Sequence, residues 1–220
     1  MKRFITSIII FTVLLVSCKS SSTDNKGKLY LRTNLCLGCT FLEVQWIYLS
    51  DDGRIGLNPH NGVNPVDMKA EETNNTVNTG KYKIDGDQLN ITWNNGTSAS
   101  WKLEKKGGEI SAINYGGVIV PESFPANYKF SGEYLGGGVL RSVPDLGAMN
   151  YNEDGTFNFT SSGTADTHEK GITGKYFIKG NTLTLNFDDG KNETATFAIT
   201  DHQEGNKYII INSSSLHQQK

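Results

Sequence analysis

Proline, cysteine and histidine are scarce in this chain of 220 residues, at five, three and four, and neither sign of charge dominates: 21 basic residues face 23 acidic ones, a formal −2. Each scarcity excludes something. Without a charge excess there is no basic face for phosphates, and nucleic acid is not an expected partner. Three cysteines cannot staple a fold of this length, which must rest on a hydrophobic core; the length allows one or two domains. Motifs of catalysis are missing as well. The Gly-x-Ser-x-Gly pentapeptide of the α/β-hydrolases does not occur. Gly136-Gly137-Gly138 leads into Val139-Leu140-Arg141, a strand pattern rather than the helix that a phosphate loop opens, and reads as a bulge or bend. His60, His168, His202 and His217 are scattered without the paired spacing of metal ligands. The acidic pairs Asp51-Asp52, Glu153-Asp154 and Asp188-Asp189 stand beside turn glycines, where aspartate serves the turn. No catalytic residue, metal or cofactor is expected, and the chain does not read as an enzyme.

What is present begins with an address. Residues 1–17 read as a signal peptide: Lys2-Arg3, an apolar run from Phe4 to Val16, then Ser17 before Cys18. The run is broken by Thr6, Ser7 and Thr12 and is shorter than the roughly 20 residues of a spanning helix. Leu15-Val16-Ser17-Cys18 resembles the lipobox of bacterial lipoproteins. That resemblance implies that residues 1–17 are removed and that Cys18 is acylated, an anchor of several chains being far firmer than one. Residues 18–27, small and polar, then read as a lipidated tether. Loss of Lys2 and Arg3 leaves 19 basic against 23 acidic residues, a formal −4, so the membrane is engaged through the lipid on Cys18 and not by charge. Lys19 is not the aspartate that retains lipoproteins in the inner membrane of enteric bacteria. The resemblance therefore implies the outer membrane of a Gram-negative envelope.

Cys36 and Cys39 remain, spaced Cys-Leu-Gly-Cys, in a compartment where thiols are usually oxidised. A redox pair would open a helix, whose N-terminus lowers the thiol pKa, yet Thr40 to Leu49 reads as a strand. A zinc site would need a second Cys or His pair. A local disulfide pinning the turn before that strand is the plainest reading; thiol redox and metal binding stay open beside it.

From Lys28 onward the chain is written in strands. Leu89/Ile91/Trp93, Ala99/Trp101/Leu103, Leu183/Leu185/Phe187 and Ala195/Phe197/Ile199 alternate with polar residues, the pattern of antiparallel sheet with one wet face. Asn95-Gly96 and Asp189-Gly190 separate such runs and predict type I′ hairpins. The pattern is repeated. Gly80 to Gly96 and Gly174 to Gly190 share seven of 17 residues at an offset of 94, and Trp46 to Leu57 matches Met149 to Phe159 in pattern. The expected organisation is a first β-meander half over 28–113, a linker over 114–127, a second half over 128–212 and a polar tail over 213–220. The first half carries extra length: 26 residues separate Gly53 from Gly80, against 18 between Gly155 and Gly174. Asn64 as N-cap, Pro65 as first helical residue and Asp67 in the first turn predict a short helix over 65–72, a lid over one barrel end or a plain connection.

The fold class is thus all-β, a duplicated antiparallel up-and-down meander forming barrels or barrel-like sheets. The unit Gly-x-Tyr-x-Ile-x-Gly-x-x-Leu-x-Leu-x-Phe/Trp, carried by Gly174, Tyr176, Ile178, Gly180, Leu183, Leu185 and Phe187 and by Gly80, Tyr82, Ile84, Gly86, Leu89, Ile91 and Trp93, resembles the lipocalin-like domains of lipoproteins of the Bacteroidota. The resemblance implies an up-and-down barrel.

Trp46, Tyr82, Trp93, Trp101, Phe157, Tyr176, Phe187 and Phe197 fall on faces predicted to be largely internal. Small barrels fill their interiors with such side chains; in a wider barrel they line an apolar pocket. The function expected is a non-catalytic binding module for a small apolar ligand or an envelope component. The alternative is an interaction or structural lipoprotein that contacts envelope protein or polysaccharide, and thiol redox at Cys36 and Cys39 stands behind both. Composition says nothing of oligomeric state.

Overall fold

The structure, a computed structural model, describes residues 26–35, 42–60, 62–63, 66–135, 140, 142–143, 147–161, 171–201 and 207–219. Cys18, Cys36, Cys39, Asn64, Pro65, the triple glycine, His168 and His202 lie outside the described residues. Among the described residues no helix is long and apolar enough to cross a membrane.

The chain folds as two antiparallel up-and-down barrels of eight strands each. In the first, β1 (Gly27–Leu35), β2 (Leu42–Ser50), β3 (Arg54–Leu57), β4 (Thr79–Asp85), β5 (Gln88–Trp93), β6 (Ser98–Lys106), β7 (Glu109–Ile113) and β8 (Gly116–Ile119) pair in chain order, and β8 returns to β1. Between β3 and β4 lies the helix α1 (Met68–Asn74). In the second, β9 (Gly132–Leu135), β10 (Gly147–Tyr151), β11 (Thr156–Ser161), β12 (Ile172–Lys179), β13 (Thr182–Phe187), β14 (Asn192–Asp201), β15 (Lys207–Ile211) and β16 (Ser214–Gln218) do the same, and β16 returns to β9. Strand β8 falls within the stretch expected to link the halves, and β16 within the expected tail. Each is the strand that closes its barrel. The crossing between barrels is correspondingly short, and Phe124 within it is already bonded to Gly180 of the second barrel, N–H to O=C in both directions at 3.2 and 2.8 Å.

The repeat survives as a repeated tie. Tyr82 and Tyr176 occupy the same place in β4 and β12. Each donates its backbone N–H to the glycine of the preceding acidic turn, Gly53 at 2.7 Å and Gly155 at 2.8 Å. Each also points its hydroxyl at the carbonyl that opens that turn, Ser50 at 2.9 Å and Asn152 at 2.9 Å. The acidic residues cap the turns: Asp52, Asp154 and Asp189 accept the backbone N–H two residues on. Gly80 and Gly174 let neighbouring strands approach, since a Cβ at either would run into the backbone of Thr92 or Asn186.

Asn95-Gly96 and Asp189-Gly190 make hairpins of a different type from the one predicted. Only the glycines have positive φ, 86° and 88°. Gly96 N–H bonds Trp93 O, and Trp93 N–H bonds Thr97 O; Gly190, Phe187 and Lys191 repeat the arrangement. These are three-residue loops, a turn closed by a left-handed glycine bulge. The helix also starts later than expected. Its cap is Asp67, whose carboxylate accepts from Lys69 N and Ala70 N at 3.0 and 3.1 Å, so it runs Met68–Asn74. It does not cover a barrel end: Met68 and Val66 pack with Tyr48 on the outer face of β2.

Alternation fills two interiors. Tyr30, Ile47, Leu49, Ile55, Leu89, Ile91 and Leu103 belong to the first core, and Tyr151, Phe157, Tyr176, Leu185 and Phe197 to the second. A third cluster joins the barrels: Leu31, Val44 and Trp46 on the outer face of β1 and β2 meet Ala198 and Ile210 of β14 and β15. Both faces of β2 and β15 are therefore buried, which explains why Trp46-Ile-Tyr-Leu49 and Ile209-Ile-Ile211 read as continuous apolar runs.

Candidate functional site

The expected aromatic candidates divide into three places. Phe157, Tyr176, Phe187 and Phe197 are buried in the second barrel among Phe130, Tyr134 and Tyr151, with neighbouring ring centroids 4.6–6.4 Å apart at tilted or edge-on angles. Such spacing is that of a filled aromatic core. Burial pushes the Tyr151 phenol far above its ordinary pKa and keeps it neutral. Tyr82, Trp93 and Trp101 pack against the first barrel's aliphatic core, the two indoles 5.9 Å apart. Trp46 is on the other face of its strand. It is fully buried between the barrels rather than inside one, because the neighbouring Ile47 and Leu49 take the inward positions of β2.

Open space lies between the barrels. A cavity of about 580 Å³ is walled on one side by Asn58, Pro59, His60 and Asn78, the residues that leave β3 and return to β4. The other wall is Asn192, Glu193, Thr194 and Thr196 of β14, with Asn212 and Ser213 of the turn after β15. Amides and hydroxyls dominate, and no lysine, arginine, phenylalanine, tyrosine or tryptophan is among the described lining residues.

Two asparagines set the cleft's shape. Asn58 and Asn212 each follow a strand end with left-handed backbone, φ 44° and 52°, a conformation asparagine tolerates better than most residues. Asn58 accepts the N–H of Trp46 on its side-chain oxygen at 2.9 Å and returns its own N–H to Trp46 O at 2.9 Å. Asn212 does the same for Thr196, at 3.1 Å in both directions. Each thereby stands in for the next residue of a neighbouring strand that has ended. Beyond Thr196, strand β14 outruns β15, whose pairing stops at Phe197↔Ile211. Alternation turns the backbone N–H and C=O of Thr194 to that same vacated side.

Behind the first wall runs a polar chain. Glu71, only 1% exposed, accepts the backbone N–H of His60 at 3.0 Å, and its second oxygen is 3.6 Å from the His60 Nδ1. Asn75 Nδ2 stands 3.2 Å from that same Nδ1. Thr79 donates to Asn75 O at 2.8 Å and accepts from Asn94 at 3.0 Å. The imidazole is therefore anchored from behind through one nitrogen while its ring remains half-exposed at the cleft. Among the described residues no group of three or more His, Cys, Asp or Glu side chains is placed to hold a metal ion.

None of these cleft residues belongs to a recognisable motif. The legible signals were the unexplained length between Gly53 and Gly80, which supplies Asn58 to Asn78, and asparagines placed at strand ends. No protein-family model matches the chain, nor does any curated protein or solved structure at a significant level.

Proposed function

We propose that this chain is a binding module of the bacterial cell envelope, held to the membrane through an acylated Cys18, and that its ligand occupies the cleft between the two barrels. One observation carries the reading: space of about 580 Å³, within the range of small-ligand sites, opens between barrels whose own interiors are packed with side chains. The polarity of that lining favours an envelope component over a small apolar molecule.

The reading is tested by thermal-shift measurement on the full chain, purified in a detergent without a sugar headgroup, against saccharides, short peptides, fatty acids and nucleotides. At least one class is expected to raise the melting temperature of the wild type and of Lys83→Ala, on the exposed side of β4, but not of Thr194→Trp, which fills the cleft. A ligand response untouched by Thr194→Trp, or no response to any class, would overturn it.

A further inference from the structure

The chemistry of the cleft narrows the ligand further. We propose that it is a neutral carbohydrate, either a free oligosaccharide or a short stretch of an envelope polysaccharide; this rests on the reading of the cleft as the binding site. A sugar presents vicinal hydroxyls, each of which donates one hydrogen bond and accepts others, and carries no charge. The lining matches that demand group by group. Asn78 and Asn192 have amides bonded to no other described residue, so each offers donors and an acceptor. The hydroxyls of Thr194 and Ser213 are likewise bonded to no described residue and serve both roles. Asn58 has one lone pair of its side-chain oxygen committed to Trp46, so its amide contributes chiefly donors.

The described lining disfavours charged and fatty competitors. Phosphates and carboxylates bind where arginine, lysine or a helix N-terminus meets them; the described lining has neither lysine nor arginine, its imidazole, His60, already faces the Glu71 carboxylate at 3.6 Å, and it holds the Glu193 carboxylate. That carboxylate already takes the backbone N–H of Ser142 at 2.9 Å. Fatty ligands require an apolar wall, and Pro59 is the sole hydrophobic ring among the described lining residues. A protein partner would need an interface near 1,000 Å² or more, beyond what a cleft of this size presents. The site is also preformed: Asn58 and Asn212 are fixed by reciprocal bonds to two strands, so little ordering entropy is lost on binding.

The test is a glycan array of neutral and anionic oligosaccharides, followed by calorimetry on the full chain and sedimentation with insoluble envelope polysaccharide. Neutral glycans are expected to bind, and their phosphorylated or carboxylated counterparts to bind at least tenfold more weakly. Asn78→Ala and Asn192→Ala, at half-exposed and exposed positions, are each expected to weaken binding by about tenfold, the loss of one hydrogen bond of about 1.4 kcal/mol, with the melting temperature unchanged. Binding of short oligosaccharides in calorimetry assigns a free-sugar site; co-sedimentation without such binding assigns a polymer site. If no neutral glycan is bound while a peptide or fatty acid responds to Thr194→Trp, the carbohydrate inference is overturned and the cleft remains the site. If nothing responds to Thr194→Trp, both fall.

Discussion

The indole N–H of Trp46 donates to the carbonyl of Asn212 at 2.5 Å, joining two residues 166 positions apart in the chain. Each partner is engaged a second time: Trp46 N–H by the Asn58 side chain, and the Asn212 side chain by Thr196 N–H. An unbroken line of hydrogen bonds therefore runs from β14 through Asn212 and Trp46 to Asn58, passing behind the cleft. The two asparagines that shape its walls are fixed relative to one another by one side chain, and that side chain is fully buried among Leu31, Val44, Ala198 and Ile210.

Trp46→Phe should cost about 1–3 kcal/mol, because most of the apolar contact is kept while the Asn212 carbonyl loses its buried donor. Trp46→Ala should cost about 3–5 kcal/mol, adding the lost contact and the void. Urea midpoints with an unchanged m-value measure both. Equal midpoints for Trp46→Phe and the wild type would show that the bond is replaced by water.

How much of this could be read in advance depends on which faces are wet. In β5 and β13 one face meets solvent, so Leu89/Ile91 and Leu183/Leu185 alternate visibly and the strands were legible. In β2 and β15 both faces are buried, and periodicity cannot say that the second face touches another barrel; Trp46 was accordingly expected inside. Turn dipeptides located the hairpins but not their type, since only the glycine needs a left-handed backbone in a three-residue loop. The helix start was misplaced because Asp67, expected inside the first turn, is the cap whose side chain reaches the N–H groups of Lys69 and Ala70. The cleft was not legible, because its residues come from strand ends brought together only when two closed barrels meet.

The repeated tyrosines should differ in weight. Tyr82 donates its hydroxyl to Ser50 O alone among the described residues. Tyr176 has Phe130 O at 2.6 Å and Asn152 O at 2.9 Å as acceptors, and it accepts from Phe130 N at 3.0 Å. Removing its hydroxyl strands a buried backbone N–H as well as a carbonyl. Tyr176→Phe is expected to cost roughly 2–3 kcal/mol and Tyr82→Phe about 1 kcal/mol. Chemical denaturation of the two variants decides it, and the reverse order would contradict the assignment.

At the turn before β3, the Arg54 guanidinium lies 2.6 Å from the Asp52 carboxylate. Hydrogen bonding to that side chain, against a smaller opposing effect of burial, holds the Asp52 carboxyl down at about 2, from an ordinary 3.8. The folded state thus binds this proton more weakly than the unfolded chain. The stabilisation is complete above about pH 4 and is lost as pH falls toward 2; with Asp52 half-exposed it is small. Carboxyl carbon NMR should show the depressed midpoint, and Arg54→Gln should return it toward the ordinary range. An ordinary midpoint in the wild type would contradict the pairing.

Asn114 and Tyr115 form the two-residue turn between β7 and β8 with φ of 48° and 66°. Glycine is favoured at the second position of such a turn, yet Tyr115 stands there with its side chain 77% exposed. Left-handed backbone costs a residue with a Cβ about 1–2 kcal/mol, and glycine gives back about 0.5–1 kcal/mol in unfolded-state entropy. Tyr115→Gly should therefore stabilise the fold by roughly 0.5–1 kcal/mol. A loss of stability would mean that the exposed ring makes contacts that offset its strain.

Tyr151 presents the opposite case, a side chain whose packing is ideal and whose polar atom is not served. It is only 2% exposed, at the centre of the second barrel's aromatic stack, and its hydroxyl has no hydrogen-bond partner among the described residues. The ring touches Phe130 at 4.6 Å and Tyr176 at 5.3 Å between centroids, contacts that phenylalanine would keep. An unserved buried hydroxyl carries a desolvation penalty of about 1–3 kcal/mol, whereas removing it leaves a void smaller than a methyl group. Tyr151→Phe is thus expected to be neutral or to stabilise by up to about 1 kcal/mol, while Phe130→Ala in the same stack should cost about 3–5 kcal/mol. Thermal and urea unfolding of both variants measure the contrast. Destabilisation by Tyr151→Phe beyond 1 kcal/mol, on the order of one hydrogen bond, would mean that an ordered water or a bound molecule serves the hydroxyl inside the barrel.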